Sequence, residues 1–149
     1  MLSTVQSLGL LGIEPFSVTV EVNVARAIPA FEIVGLPDAA VRESRERVRS
    51  AFLNCGYPFP DGRITVNLAP ADVKKSGSLH DLPILIGLLC AQGTLPELPK
   101  ASAFIGEYFS YHLGLRPLLL PEGGEWSYYC VLLFSSFLCS FQESDDGRK

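Results

Sequence analysis

Residues 15–37, PFSVTVEVNVARAIPAFEIVGLP, decide the fold. From Val18 to Val24 the chain alternates strictly, with Val18, Val20, Val22 and Val24 on one side and Thr19, Glu21 and Asn23 on the other. That is the two-residue period of a strand buried on one face. AIPAFEIVG, residues 27–35, reads as the next strand, because Pro29 stands at or before its start, where a missing amide hydrogen costs least. Gly35 and Pro37 stop it. Asp38 is then the expected N-cap of a helix, its carboxylate accepting from first-turn amides that have no partner of their own.

Along that helix Ala40, Val41, Ser44, Val48, Ala51, Phe52 and Cys55 share one broad face, and Arg42, Arg45, Glu46 and Arg49 lie opposite. Gly56 suits the C-terminal stop, and PFPDG (58–62) makes a turn into RITVNL (63–68), where Ile64, Val66 and Leu68 alternate with Arg63, Thr65 and Asn67. A polar loop, APADVKKSGSLH (69–80), delivers the chain to DLPILIGLLCAQG (81–93). Asp81 is the expected cap there, Pro83 is tolerated in the first turn, and Leu82 to Ala91 is apolar almost all round, which predicts a central, buried helix. ASAFIGE (101–107) reads as another short buried strand. The order strand, strand, helix, strand, helix, strand implies an α/β architecture, an α+β sandwich with two helices packed on a mixed sheet.

A chain of 149 residues, 48% hydrophobic and carrying a formal charge of −4, suits one globular domain plus a tail. Residues 1–107 hold nine basic and eleven acidic side chains, and residues 108–149 hold three and five. Nucleic-acid binding would therefore have to rest on a local patch. Cys55, Cys90, Cys130 and Cys139 form no CxxC pair and have no histidines at ligand spacing, so no metal site is expected and free thiols in a reducing cytosol are the simpler reading. The N-terminus lacks the basic start and apolar run of a secretory signal, so export is not expected and a cytoplasmic location is.

FEIVGLPDAAVRESRERVRSAF (31–52), RITVNLAPADVKKSGSLHDLPILIGLL (63–89) and FIGE (104–107) closely resemble the N-terminal domain of the ComM/YifB family, the magnesium-chelatase-like AAA+ ATPases. The resemblance runs from about Met1 to Glu107 in colinear blocks. It implies a ribosomal-protein-S5 domain-2-like fold, shared with the proteolytic domain of Lon and the C-terminal domain of the RadA recombination protein. In such families this domain precedes a AAA+ motor that assembles as a hexameric ring, and ComM-like members act on branched DNA in natural transformation. The chelatase label reflects the motor and does not itself imply porphyrin chemistry. Domain boundaries are expected at 1–120, with 121–149 a divergent apolar tail. No GxxxxGK[ST] loop occurs in the chain, so the AAA+ motor is absent from it and no ATPase activity is expected of it. No cofactor is expected either, since ATP and magnesium would belong to the motor.

Arg42, Arg45 and Arg49 follow one another at i, i+3 and i+7, a stripe able to track phosphates of DNA or to meet another subunit of a homo-oligomer or the motor. The plainer reading is a solvated face on which Arg42–Glu46 and Glu43–Arg47 form i, i+4 pairs worth about 0.2–0.5 kcal/mol each. Lys74 and Lys75, with Ser76 and Ser78, could hold a phosphate beside a helix N-terminus, although Asp81 would repel a second anion there. Asp38 and Asp81 are expected to be structural caps. A Lon-type serine–lysine peptidase is the alternative, since Ser78 lies in the corresponding loop. Aligning its glycine, however, puts Leu79 at the nucleophile's position, and no lysine lies between Ser102 and Arg148, so no catalytic residue is assigned. His80 and His112 read as turn or packing residues.

Trp126 to Phe141 is uncharged over sixteen residues, short of the roughly 20 that span a bilayer, and its acidic flanks give no positive-inside signal. A tail-anchored membrane remnant is therefore the weaker reading, beside a strand that completes the sheet or a sticky segment. Because the likeness stops abruptly, a truncated or frameshifted product is expected.

Overall fold

The computed structural model describes residues 1–54, 56–96, 98 and 102–107, and the backbone of 131–132. Four strands, β1 (Leu2–Leu11), β2 (Glu14–Ala25), β3 (Ala30–Val34) and β4 (Arg63–Ala69), form one sheet in the order β1-β2-β4-β3. β1 runs antiparallel to β2, β2 antiparallel to β4, and β3 parallel to β4. The parallel pair needs a crossover, which helix α1 (Ala39–Asn54) provides. Helix α2 (Asp81–Ala91) follows β4, and β5 (Phe104–Ile105) pairs in parallel with β6 (Val131–Leu132). Two helices on a mixed sheet confirm the expected α+β sandwich.

Register explains why both helices choose the same side. Val5 opposes Val20, Val20 opposes Leu68, Val22 opposes Val66, and Ile33 opposes Val66 from the other side. Directly opposed residues share a face, so these apolar rows merge into one surface. On it sit Val41, Val48, Ala51 and Phe52 of α1 and Ile84, Leu85, Leu88 and Leu89 of α2, all buried. Burying Phe52 alone is worth about 1.5–3 kcal/mol. The opposite face is polar and satisfies itself: Thr19 donates to Gln6 at 3.2 Å, Asn67 to Glu21 at 2.9 Å, and Arg63 pairs with Glu32 at 2.9 Å.

The alternation in β2 and β4 is realised as read, and α2 is the buried central helix. β1 was hidden. Its inward positions are Ser3, Val5, Ser7 and Gly9, only one of them a large apolar residue. The serines are inside because α2 and the residue before it supply partners: Ser3 Oγ donates to the Gly87 carbonyl at 2.6 Å, and Ser7 Oγ meets His80 Nδ1 at 3.3 Å. Of the tail, only the backbone of Val131 and Leu132 is described, and it is a strand. The reading of Trp126–Phe141 as a membrane anchor lies otherwise outside the described residues, as do His112 and Cys55, Cys130 and Cys139. Among the described residues no helix is long and apolar enough to cross a membrane.

Candidate functional site

The carboxyl ends of the parallel pair bring two loops together. After β3, Gly35 takes φ +98°, and a Cβ there would overlap the Leu68 carbonyl, so the chain can pass β4 this closely only as glycine. Leu36 follows at φ 54°. Lys75 N–H donates to the Leu36 carbonyl at 3.1 Å and Asp38 N–H to the Lys75 carbonyl at 3.0 Å, which extends the parallel pairing into the loops. Asp38 closes the joint with both oxygens. Oδ1 accepts from Val41 N–H at 2.8 Å, as the expected cap of α1, and Oδ2 accepts from Gly77 N–H at 3.3 Å.

The two lysines of this loop part company. Lys74 is exposed, whereas Lys75 is buried and donates its ammonium to the Pro70 carbonyl. Burial pushes the Lys75 pKa down, and the charge of Asp72 partly offsets this. Lys75 therefore has no ammonium to offer at the surface, which corrects its assignment as an anion contact. Among the described residues no lysine donates to Ser78, whose carbonyl accepts from Asp81 N–H at 3.1 Å.

Asp81 also departs from expectation. His80 holds the N-cap position of α2 and makes no side-chain cap bond; the Leu82 amide finds the Gly106 carbonyl at 3.0 Å instead. Asp81, fully buried in the first turn, sends its carboxylate across to α1. There Ser44 Oγ donates to Oδ1, Arg47 Nε to Oδ2 at 2.6 Å, and Arg47 Nη2 to Oδ1 at 3.0 Å. Nη2 also reaches the Ala40 carbonyl at 2.8 Å. The hydrogen bond to Asp81 raises the Arg47 pKa; burial opposes it, and the charges of Asp81, Glu107 and Glu43 add to it. Neighbouring His80 is buried, which lowers its pKa. Asp81 raises it in opposition, Lys75 lowers it further, and Asp38 raises it. Sequence reading missed Arg47 as the partner of a buried carboxylate, although it stands three residues after Ser44 and four before Ala51, at the edge of the apolar face.

The remaining arginines, Arg42, Arg45 and Arg49, all lie exposed on the outer side of α1. Arg45 Nε pairs with Glu46 at 3.2 Å, so the expected Arg42–Glu46 pair is replaced by a sequence neighbour. Glu43 leans toward Arg47 at 3.8 Å, as its spacing suggested. Arg49 lies over the ring of Phe59, 5.3 Å from its centroid. Among the described residues neither Arg42 nor Arg49 forms an ion pair, and no group of histidine, cysteine or carboxylate side chains could hold a metal.

Residues 20–117 match the family described as subunit ChlI of Mg-chelatase. Among curated proteins, the uncharacterized protein YifB of Escherichia coli is 48% identical over 94 residues, covering 63% of this chain and 19% of its own length. The competence protein ComM of Haemophilus influenzae is 47% identical over 126 residues, covering 80% of this chain and 25% of its own length. An uncharacterized Mycobacterium bovis protein is 40% identical over 102 residues, covering 68% of this chain and 20% of its own. The chain thus spans about a fifth to a quarter of the length of these relatives. Matched from the middle of β2 through both helices and the joined loops, it belongs to the ChlI, magnesium-chelatase-like family and corresponds to the N-terminal domain of its ComM/YifB members.

Proposed function

We propose that this chain is a non-catalytic accessory domain of a ComM/YifB-like AAA+ ATPase engaged in DNA processing, and that it contacts DNA phosphates through Arg42, Arg45 and Arg49. The observation that carries the reading is the sorting of the arginines on α1. Arg47 turns inward to Asp81, while the other three stay exposed along one side of the helix. A stripe of this kind neutralises phosphates and releases counterions, and the guanidinium fork suits phosphate oxygens. The competence name of the Haemophilus influenzae relative supports a DNA role, and Lys74 is a further exposed basic group. ATP and magnesium would be bound by the motor of the parent protein, in a cytoplasmic assembly built from several copies.

A Lon-like peptidase has less support, because Ser78 has no lysine to activate it among the described residues and Leu79 occupies the nucleophile's place. Fluorescence anisotropy of labelled single-stranded and branched DNA, titrated with the purified chain over a salt series, tests the proposal. Binding should weaken steeply with salt and be lost in the R42A/R45A/R49A variant. Equal affinity of variant and parent, or no binding by the parent chain at low salt, overturns the DNA reading and favours contact with another subunit.

A further inference from the structure

Within the arginine stripe the three side chains are not equivalent, and the difference lies beneath Arg49. Phe59, half-buried in the turn after α1, packs edge-on against Phe52 with centroids 5.4 Å apart and tilts against Phe31 at 6.1 Å. Phe52 is fully buried in the core. The ring of Phe59 is therefore fixed by the fold, and the Arg49 guanidinium rests over it. The two glutamates of this helix are engaged by other arginines, Glu46 by Arg45 at 3.2 Å and Glu43 by Arg47 at 3.8 Å. Arg49 is thus held in place by an uncharged ring, which leaves its N–H edges open to an anion. Arg45 must give up a carboxylate to bind one. Arg42 has neither competitor nor support among the described residues.

Resting on the DNA reading above, we propose that Phe59 is a positioning residue for phosphate binding, presenting Arg49 as the dominant contact of the stripe. A side chain ordered before binding loses less rotamer freedom on contact, and an arginine, unlike a lysine, can stack on a ring and still offer a fork. The ring contributes through the guanidinium alone, so its effect vanishes when Arg49 is absent.

The test is a double-mutant cycle on the full chain, reading the affinity for a labelled oligonucleotide and its salt slope. R49A should weaken binding more than R45A and lower the slope by about one. F59L should weaken binding about two- to fivefold with the slope unchanged, F59W should restore it, and F59L should add nothing to R49A. Far-UV circular dichroism and a thermal melt of each variant identify loss of folding, and F59W reports on the ring even if F59L unfolds. If folded F59L binds like the parent, if F59W fails to bind like the parent, or if F59L weakens R49A as much as it weakens the parent, the positioning role is wrong. If the triple arginine variant binds like the parent, the DNA reading itself fails.

Discussion

Asp81 opens the most apolar helix of the chain, and its charge is tolerated there because the partner is built into another helix. A lone buried carboxylate costs several kcal/mol; one that accepts from Ser44 and, through two bonds, from Arg47 is compensated. The arginine side chain is 26% exposed, so part of its charge can be returned to water if the carboxylate is removed. Asp81→Ala should therefore destabilise by about 2–3 kcal/mol, below the range for a fully enclosed pair, and Asp81→Asn by about half as much. Urea unfolding followed by circular dichroism measures this. Arg47→Ala in the Asp81→Ala background should cost much less than on its own; a strictly additive result would show that the pair is not coupled. None of this could be read from periodicity. An aspartate before an apolar run has the signature of a cap, and only the third dimension shows that Gly106 has taken that task and freed the side chain for α1.

At the level of elements, α2 approaches the sheet closely at Gly87. A Cβ there would stand 2.6 Å from Val22 Cγ2 and 3.5 Å from Val5 Cγ2. Alanine would gain about 1 kcal/mol of helix propensity and lose about 1–3 kcal/mol to overpacking. Gly87→Ala should accordingly lower stability by about 1 kcal/mol, and Val22→Ala should restore part of it, both read from denaturant midpoints; a stabilised Gly87→Ala chain would contradict this packing. The strands with valine and isoleucine on one face, β2 and β4, were legible because burial and alternation coincide in them. β1 was not, because Ser3, Ser7 and Gly9 face inward, and a buried hydroxyl looks polar until its acceptor is known. The two lysines fail to separate for the same reason. Nothing in KKSGS says that Lys75 folds back to Pro70 while Lys74 stays outside.

For the whole molecule, charge limits what the arginine face can achieve. The chain carries −4 overall, and the stripe offers three guanidinium groups, one of which is shared with Glu46. Three phosphate contacts correspond to a logarithmic salt slope of about −2 for a single strand and about −3 for duplex. A slope well beyond these values would mean that basic groups outside α1 take part, and one near zero that phosphates are not what the chain binds. The Arg47–Asp81 bridge gives this surface a mechanical character. Because α1 is tied through it to α2, and α2 lies along β1 and β2, swinging the outer helix away from the sheet would require parting a largely enclosed ion pair as well as the shared apolar core.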